Sequence, residues 1–332
     1  MLYPILFQPI FKERIWGGRQ LETFYQKTLP AGVPIGESWE ISDRPGDVSV
    51  IANGPFAGKT LRWLLEEHAA AVYGETAAKP KTFPLLVKIL DAQQDLSLQV
   101  HPPASKAVAM GGEPKTEMWY FTKTTAEAKL YVGLRRGVTR GEFEQRIGDG
   151  SVAECFHRIS VKDGDSMFLP SGRVHALGAG SVLFEIQQNS DTTYRVFDWN
   201  RVDASGKPRE LHVAQSLESI DFEDFEPALA SSEWQKSGPA KLRSLVDDPL
   251  FAVRAWDLAA DDAVAFPMIS FQIIGLISGE LTIKGNEVSV SLKPGQFALL
   301  PAGLRVAELK ASKDARFLQV AAGRGTPKTA QR

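Results

Sequence analysis

The segment Lys162-Asp163-Gly164-Asp165-Ser166-Met167-Phe168-Leu169-Pro170-Ser171-Gly172-Arg173-Val174-His175 occurs in outline twice in the chain. Lys162, Gly164, Leu169, Pro170 and Gly172 recur as Lys293, Gly295, Leu300, Pro301 and Gly303, each displaced by 131 residues. Five matches at one offset mark an architecture that is built twice. In each copy a glycine, five residues and then Pro-x-Gly place a turn before a short strand and a second turn after it. Three residues past the last glycine the copies part: the first has His175 and the second Val306. No histidine follows His212, so imidazole chemistry belongs to the first copy alone.

Working outward, 28 glycines and 20 prolines separate short β-branched and aromatic runs such as Ser270–Ile277, Leu281–Ile283 and Phe297–Leu300, so the chain reads as mainly β. Helices are few. One is expected over Thr60–Tyr73, where Leu61, Leu64, Leu65, His68 and Val72 recur at helical spacing behind a capping threonine. A second starts at Thr139 with Phe143 and Ile147 on one face, and a short third follows Pro102-Pro103. The stretch Asp221, Glu223, Asp224, Glu226, Pro227, Ser231, Ser232, Gly238 and Pro239 turns acidic and then small and polar. It reads as a boundary or as a surface loop within one domain. As a boundary it leaves residues 1–225 and 240–325, with one copy of the repeat in each. The tail Gly323–Arg332 reads as a frayed end.

Lys plus Arg number 38 against 40 Asp plus Glu in 332 residues, a formal charge of −2 that is too balanced for a nucleic-acid binder. At 43% hydrophobic and 23% charged residues the chain can bury a core, which excludes disordered and fibrous classes. The single cysteine, Cys155, cannot form an intrachain disulfide and suits a reducing compartment. Lys88 interrupts the apolar run Phe83–Leu90, which falls far short of the ~20 residues that span a bilayer. Lys12, Glu13 and Arg14 stand where a signal peptide would need its apolar run. The expectation is a cytoplasmic protein with no membrane and no nucleic-acid partner.

The turn, strand and Pro-x-Gly pattern followed by a histidine resembles the second motif of the cupins. That resemblance implies two cupin-type jelly-roll barrels with a few short helices, each closed around a pocket suited to a small ligand. Residues 1–225 are then a metal-binding catalytic barrel with helical excursions. Residues 240–325 are a C-terminal barrel without a metal site, serving as a structural or dimer-forming partner. The cupin asparagine expected four residues after the histidine is Ala179 here.

A metal site inside a barrel needs inward-pointing ligands from several strands. Gln99 and His101 are two apart in Leu96-Ser97-Leu98-Gln99-Val100-His101 and so share a face, where cupins usually carry His-x-His. Glu117 is the nearest carboxylate within a strand-like run, and His175 supplies a second imidazole. A lone histidine beside a proline more often packs or turns the chain than binds metal. Its combination with Glu117 and with a histidine at the cupin position reverses that reading. Two imidazoles, one carboxylate and an amide oxygen suit Zn²⁺ or another borderline divalent ion.

Gln99-Val100-His101-Pro102, Pro114-Lys115-Thr116-Glu117-Met118-Trp119 and Gln188-Asn189-Ser190-Asp191-Thr192-Thr193-Tyr194-Arg195-Val196-Phe197-Asp198-Trp199 resemble the signatures of type I mannose-6-phosphate isomerases in their short bacterial form. Arg14-Ile15-Trp16-Gly17-Gly18 and Gly36-Glu37-Ser38-Trp39-Glu40 also fit, and the resemblance runs from about Pro4 to Val320. It implies a zinc-dependent aldose-ketose isomerase that interconverts mannose 6-phosphate and fructose 6-phosphate through a cis-enediol. The family's ligands fall on Gln99, His101, Glu117 and His175 for one zinc per chain, with Gln99 either a ligand or an outer partner.

By the same resemblance Arg195 is the catalytic arginine, Glu185 a substrate-side acid or base and Lys115 an active-site lysine. A surface position for Lys115 and an exposed strand position for Glu185 are the plain alternatives. The chain has no Gly-rich phosphate loop, so a substrate phosphate would fall to side chains. Arg201 stands near the phosphate-binding lysine of long family members, with Lys207 and Arg209 following, although Arg201–Glu210 reads equally as a solvated loop. The expected partner is a small sugar phosphate, and the chain is a monomer or homodimer. Rival readings are another cupin metalloenzyme acting on a sugar phosphate, which metal identity would reveal, and a non-catalytic sugar-binding cupin.

Overall fold

The computed structural model describes residues 1–74, 79–202 and 206–323, so nearly all of the tail expected to fray lies outside the described residues. The fold is mainly β and cupin-like, with antiparallel pairing throughout its three large sheets. The first sheet orders its strands Phe156–Ser160, Lys129–Leu134, His175–Leu177, Leu98–Val100 and Tyr194–Phe197. The second runs Ser166–Leu169, Glu117–Thr124, Ser181–Gln188, Leu85–Ala92, Ile35–Ile41 and Ile10–Gly18. The third gathers the C-terminal strands and also takes in Ile5–Leu6, which pairs with Phe297–Leu300.

Period-two alternation decides which side each residue serves. Along Ser181–Gln188, Leu183 faces the first sheet in a core with Trp119, Phe121, Leu130 and Val132. Val182, Phe184 and Ile186 point the other way and pack on Val253, Ile273, Phe297 and Val320 of the third sheet. The second sheet is therefore buried on both faces, which explains why all eight residues of Leu85–Ala92 are buried. In the third sheet the long strands Gln272–Gly285 and Val306–Ala322 pair along most of their length. Register shifts between Leu276 and Leu281, around Gly279 at φ 86°, bend them so that a second apolar interior forms between their halves.

The three expected helices are present. Leu61–Tyr73 is capped by Thr60, whose hydroxyl accepts from Trp63 N, and it kinks at His68. Arg140–Asp149 is capped by Thr139 and buries Phe143, and Ala104–Ala107 follows the two prolines. Gln20–Tyr25 and Val213–Ser219 were not expected, because each is too short to display a helical period. No helix among the described residues is long and apolar enough to cross a membrane.

Candidate metal centre and its surroundings

The first sheet brings His175 opposite Gln99 and Gln99 opposite Arg195, so strand pairing alone aligns these three side chains. His101 lies just beyond the same strand, and the turn at Gly172 donates its N–H to His101 O at 2.9 Å. Gly172 holds φ 93°, a left-handed conformation that glycine adopts without strain, so the Pro-x-Gly turn ties the two histidine segments together. Glu117 reaches in from the second sheet, where it pairs with Leu169 and Gln187.

His101, Glu117 and His175 are almost completely buried, and one ligand atom from each lies within 4.8 Å of the others. His101 Nδ1 donates to Thr192 O (2.9 Å) and His175 Nδ1 to Arg173 O (3.0 Å), which leaves each Nε2 lone pair turned toward the carboxylate. His101 Nε2 stands 3.6 Å and His175 Nε2 3.2 Å from Glu117 oxygens. Among the described residues, buried His101 Nε2 and Glu117 Oε1 have no hydrogen-bond partner, and Glu117 Oε2 faces Lys115 Nζ at 2.8 Å. Orphaned donor atoms that converge from two imidazoles and a carboxylate fit a divalent metal ion. Gln99 Nε2 lies 3.3 Å from His175 Nε2, and rotating the amide would present its oxygen instead.

The electrostatics agree with that fit. Burial and the Lys115 ammonium push the His101 pKa down to about 3, so the ring is a neutral donor at working pH. Burial opposes the Glu117 anion, yet Lys115 at 2.8 Å and the histidines hold its carboxyl well below the usual range.

Beyond the metal cluster a row of buried charge crosses the second sheet. Glu185 sits opposite Trp119 on one neighbouring strand and Lys88 on the other, and Lys88 sits opposite Trp39. Trp119 Nε1 donates to Glu185 Oε1 at 3.0 Å, and Lys88 Nζ lies 3.3 Å from Glu185 and 3.7 Å from Glu37. Glu37 also accepts from Trp39 Nε1 (2.6 Å) and Arg14 Nε (2.8 Å). Burial raises the Glu185 pKa and Glu117 adds to it, with Lys88 acting against them. Glu185 and Lys115 are thus buried beside the cluster rather than on the surface.

Lys88 and Glu37 are the partners that sequence reading did not single out. The signal was Lys88 within the apolar run Leu85–Leu90 and Glu37 in a strand whose seven residues are all buried. Arg195 donates Nη1 to Glu210 O at 2.8 Å, and its Nε is buried without a partner among the described residues. Arg201 lies farther along, bonded to Asp198 and to Asp95 O, while Arg209 binds Asp198.

A jelly-roll barrel with inward imidazoles and a carboxylate poised for a metal defines a cupin of the metal-binding class. Residues 5–117 match the family described as phosphomannose isomerase type I, catalytic domain. The chain is 37% identical over 305 residues to a probable mannose-6-phosphate isomerase of Bacillus subtilis, covering 91% of this chain and 94% of that one. It is 34% identical to the mannose-6-phosphate isomerase of Streptococcus mutans, covering 91% and 93%. The crystal structure of mannose 6-phosphate isomerase from Bacillus subtilis superposes with a TM-score of 0.87 at 33% identity, over 96% of this chain and 100% of that one. Apo mannose 6-phosphate isomerase from Salmonella typhimurium, at 18% identity, TM-score 0.74 and 97% and 100% coverage, shares the fold. The chain belongs to the type I phosphomannose isomerase family and is an enzyme of the aldose-ketose isomerase class.

Proposed function

We propose that this protein interconverts mannose 6-phosphate and fructose 6-phosphate through a cis-enediol, with one zinc ion held by His101, Glu117 and His175 and by the Gln99 amide oxygen. The observation that carries the reading is the convergence of orphaned metal-donor atoms beside a buried carboxylate of raised pKa. Bound there, zinc supplies Lewis-acid polarisation of the sugar's carbonyl.

Isomerisation moves a proton between C1 and C2 of the open-chain sugar, so one group must reach both carbons. Glu185 is that group: Trp119 and Lys88 hold its two oxygens, and its raised pKa brings it toward the working range. Lys115, pinned at Glu117, presents an ammonium to the hydroxyl that changes protonation. The Arg195 guanidinium is charged at any working pH and stabilises negative charge as it develops on oxygen. Trp119, packed edge-on to His175 and bonded to Glu185, puts an apolar ring beside the enediol and helps to keep water from it.

The test is formation of fructose 6-phosphate from mannose 6-phosphate by chelator-stripped protein, before and after zinc is restored. Activity that disappears and returns with zinc supports the reading. No activity in protein shown to rebind metal would overturn it and favour another sugar phosphate.

A further inference from the structure

Gln187 stands opposite Glu117 in the second sheet and is completely buried. Its Nε2 donates to Gln188 O at 2.9 Å and to Ser190 O at 2.6 Å, while its Oε1 is buried with no hydrogen-bond partner among the described residues. A carbonyl only accepts, so the amide cannot be turned over: Oε1 in the place of Nε2 would face two oxygens. Both amide hydrogens are therefore spent on the turn that follows the strand. A side chain that merely filled this space would be apolar, because an apolar group leaves no oxygen stranded.

The turn carries these bonds on to the metal cluster. Ser190 N donates to Gln188 O at 2.7 Å, so a carbonyl that Gln187 grips also closes the turn. Ser190 Oγ accepts from Thr192 N (3.2 Å) and donates to Glu113 O (3.3 Å), and Thr192 Oγ1 accepts from Glu113 N (3.0 Å). Thr192 O, held in this way, is the acceptor for His101 Nδ1. That contact puts the His101 proton on Nδ1 and leaves Nε2 bare for a metal. His175 is oriented alike by Arg173 O, which belongs to a different segment, the Pro-x-Gly turn.

We propose that Gln187 is a positioning residue for the metal centre: by clamping the turn 188–190 it sets the Thr192 carbonyl and, through it, the His101 tautomer before any metal arrives. The inference rests on the reading of His101, Glu117 and His175 as metal ligands. It also divides the two imidazoles, since His101 depends on Gln187 and His175 does not.

The test compares wild type with Gln187→Met, which keeps the length of the side chain and removes its donors. Zinc affinity is read by competition with a chromophoric chelator. The tautomers of His101 and His175 are read in the chelator-stripped full chain at neutral pH from long-range nitrogen-15 NMR spectra, assigned with His101→Asn and His175→Asn. Gln187→Met should weaken zinc binding by about tenfold to a hundredfold, the usual cost of losing a group that orients a ligand. His101 should lose its pure Nδ1–H form while His175 keeps it. A general loosening of the interior would disturb both rings alike, so the selectivity separates positioning from bulk structure. An unchanged His101 tautomer, an unchanged zinc affinity, or an equal change at His175 overturns the proposal. Should Gln187→Met fail to fold, Ser190→Ala decides, because it cuts the same chain at the hydroxyl that holds Thr192 N. It should shift the His101 tautomer and weaken zinc several-fold, and no change in either overturns the proposal. A wild type that binds no zinc, but whose His101 tautomer depends on Gln187, would sink the metal reading and leave the positioning of His101 standing.

Discussion

In both halves of the molecule the glycine turn is tied down by the same bonds. Gly164 N donates to Phe121 O and Gly295 N to Leu276 O, each at 2.8 Å. Lys162 N donates to the Asp165 side chain and Lys293 N to that of Gln296, each at 2.9 Å. The strands that follow then pair alike, Leu169 with Glu117 and Leu300 with Gln272. Carrying the register one strand further sets Glu185 opposite Trp119 and Gln319 opposite Ile274. Gln272 thus stands where the first barrel has Glu117, and Gln319 where it has Glu185. Val306, 52% exposed, stands in the sequence place of His175, which is 1% exposed.

The same backbone therefore accepts two opposite interiors. The amides of the second barrel satisfy each other, with Gln319 Nε2 donating to Gln272 Oε1 (2.7 Å) and Trp256 Nε1 to Gln319 Oε1 (2.8 Å). The carboxylates of the first barrel instead face Lys88 and Lys115, in a cluster that could hold a metal ion. Buried charge is poor at stabilising a fold compared with neutral groups of similar size, so its retention in one barrel alone points to chemistry rather than to folding.

The largest test copies the second barrel into the first. Glu117→Gln and His175→Val should each lose bound metal and lower turnover by about a thousandfold or more, since a metal contributes several kcal/mol to such a step. Metal analysis and the coupled assay read both effects. Full metal content in either variant would mean that the comparison misplaces the site.

Lys88→Met tests whether the row of charge needs its central cation. Stranding two buried carboxylates should lower stability by about 3–5 kcal/mol in urea unfolding at neutral pH. The row also has a pH signature. Burial raises the Glu37 pKa, but Lys88 and Arg14 outweigh it and hold the group at about 2, below its ordinary 4.5. Its contribution is complete above about pH 4.5 and is lost as pH falls through about 2. Without Lys88 the Glu37 pKa rises, so the acid limb of the stability curve should move to higher pH. A curve of unchanged shape would break the assignment.

Much of this contrast was legible in the sequence. The repeat and the missing second histidine follow from spacing, the candidate ligands Gln99, His101, Glu117 and His175 came with the cupin and isomerase resemblance, and the structure brings His101, Glu117 and His175 together. Lys88 and Glu37 escaped because their meaning is nonlocal: strands at residues 37, 88 and 185 must lie side by side before a lysine between two glutamates becomes visible. Alternation alone could not reveal them, since the second sheet is buried on both faces and shows no polar period. Gln272 and Gln319 were silent for the same reason.

Gln319→Leu probes the neutral interior. It strands the Trp256 indole N–H and the Gln272 carbonyl oxygen, at a cost of about 1–3 kcal/mol in thermal or urea unfolding. Turnover should stay at the wild-type value, because Gln319 bonds to Gln272 and Trp256, none of which belongs to the His101, Glu117 and His175 cluster. A loss of kcat in the folded variant would mean that the two interiors are coupled through the apolar layer between them.

The smallest effect is expected where the repeat tempts most. Val306→His restores the cupin histidine by sequence, but the side chain lies half in solvent and the neighbouring interior offers Ala298, Leu300 and Leu309 instead of a carboxylate. Stability should change by no more than about 0.5 kcal/mol, as for most surface substitutions, and the protein should bind no additional metal. A second equivalent of zinc held by this variant would show that the motif histidine alone creates a site. The absence of one places the requirement on the strands opposite it, where Glu117 has become Gln272.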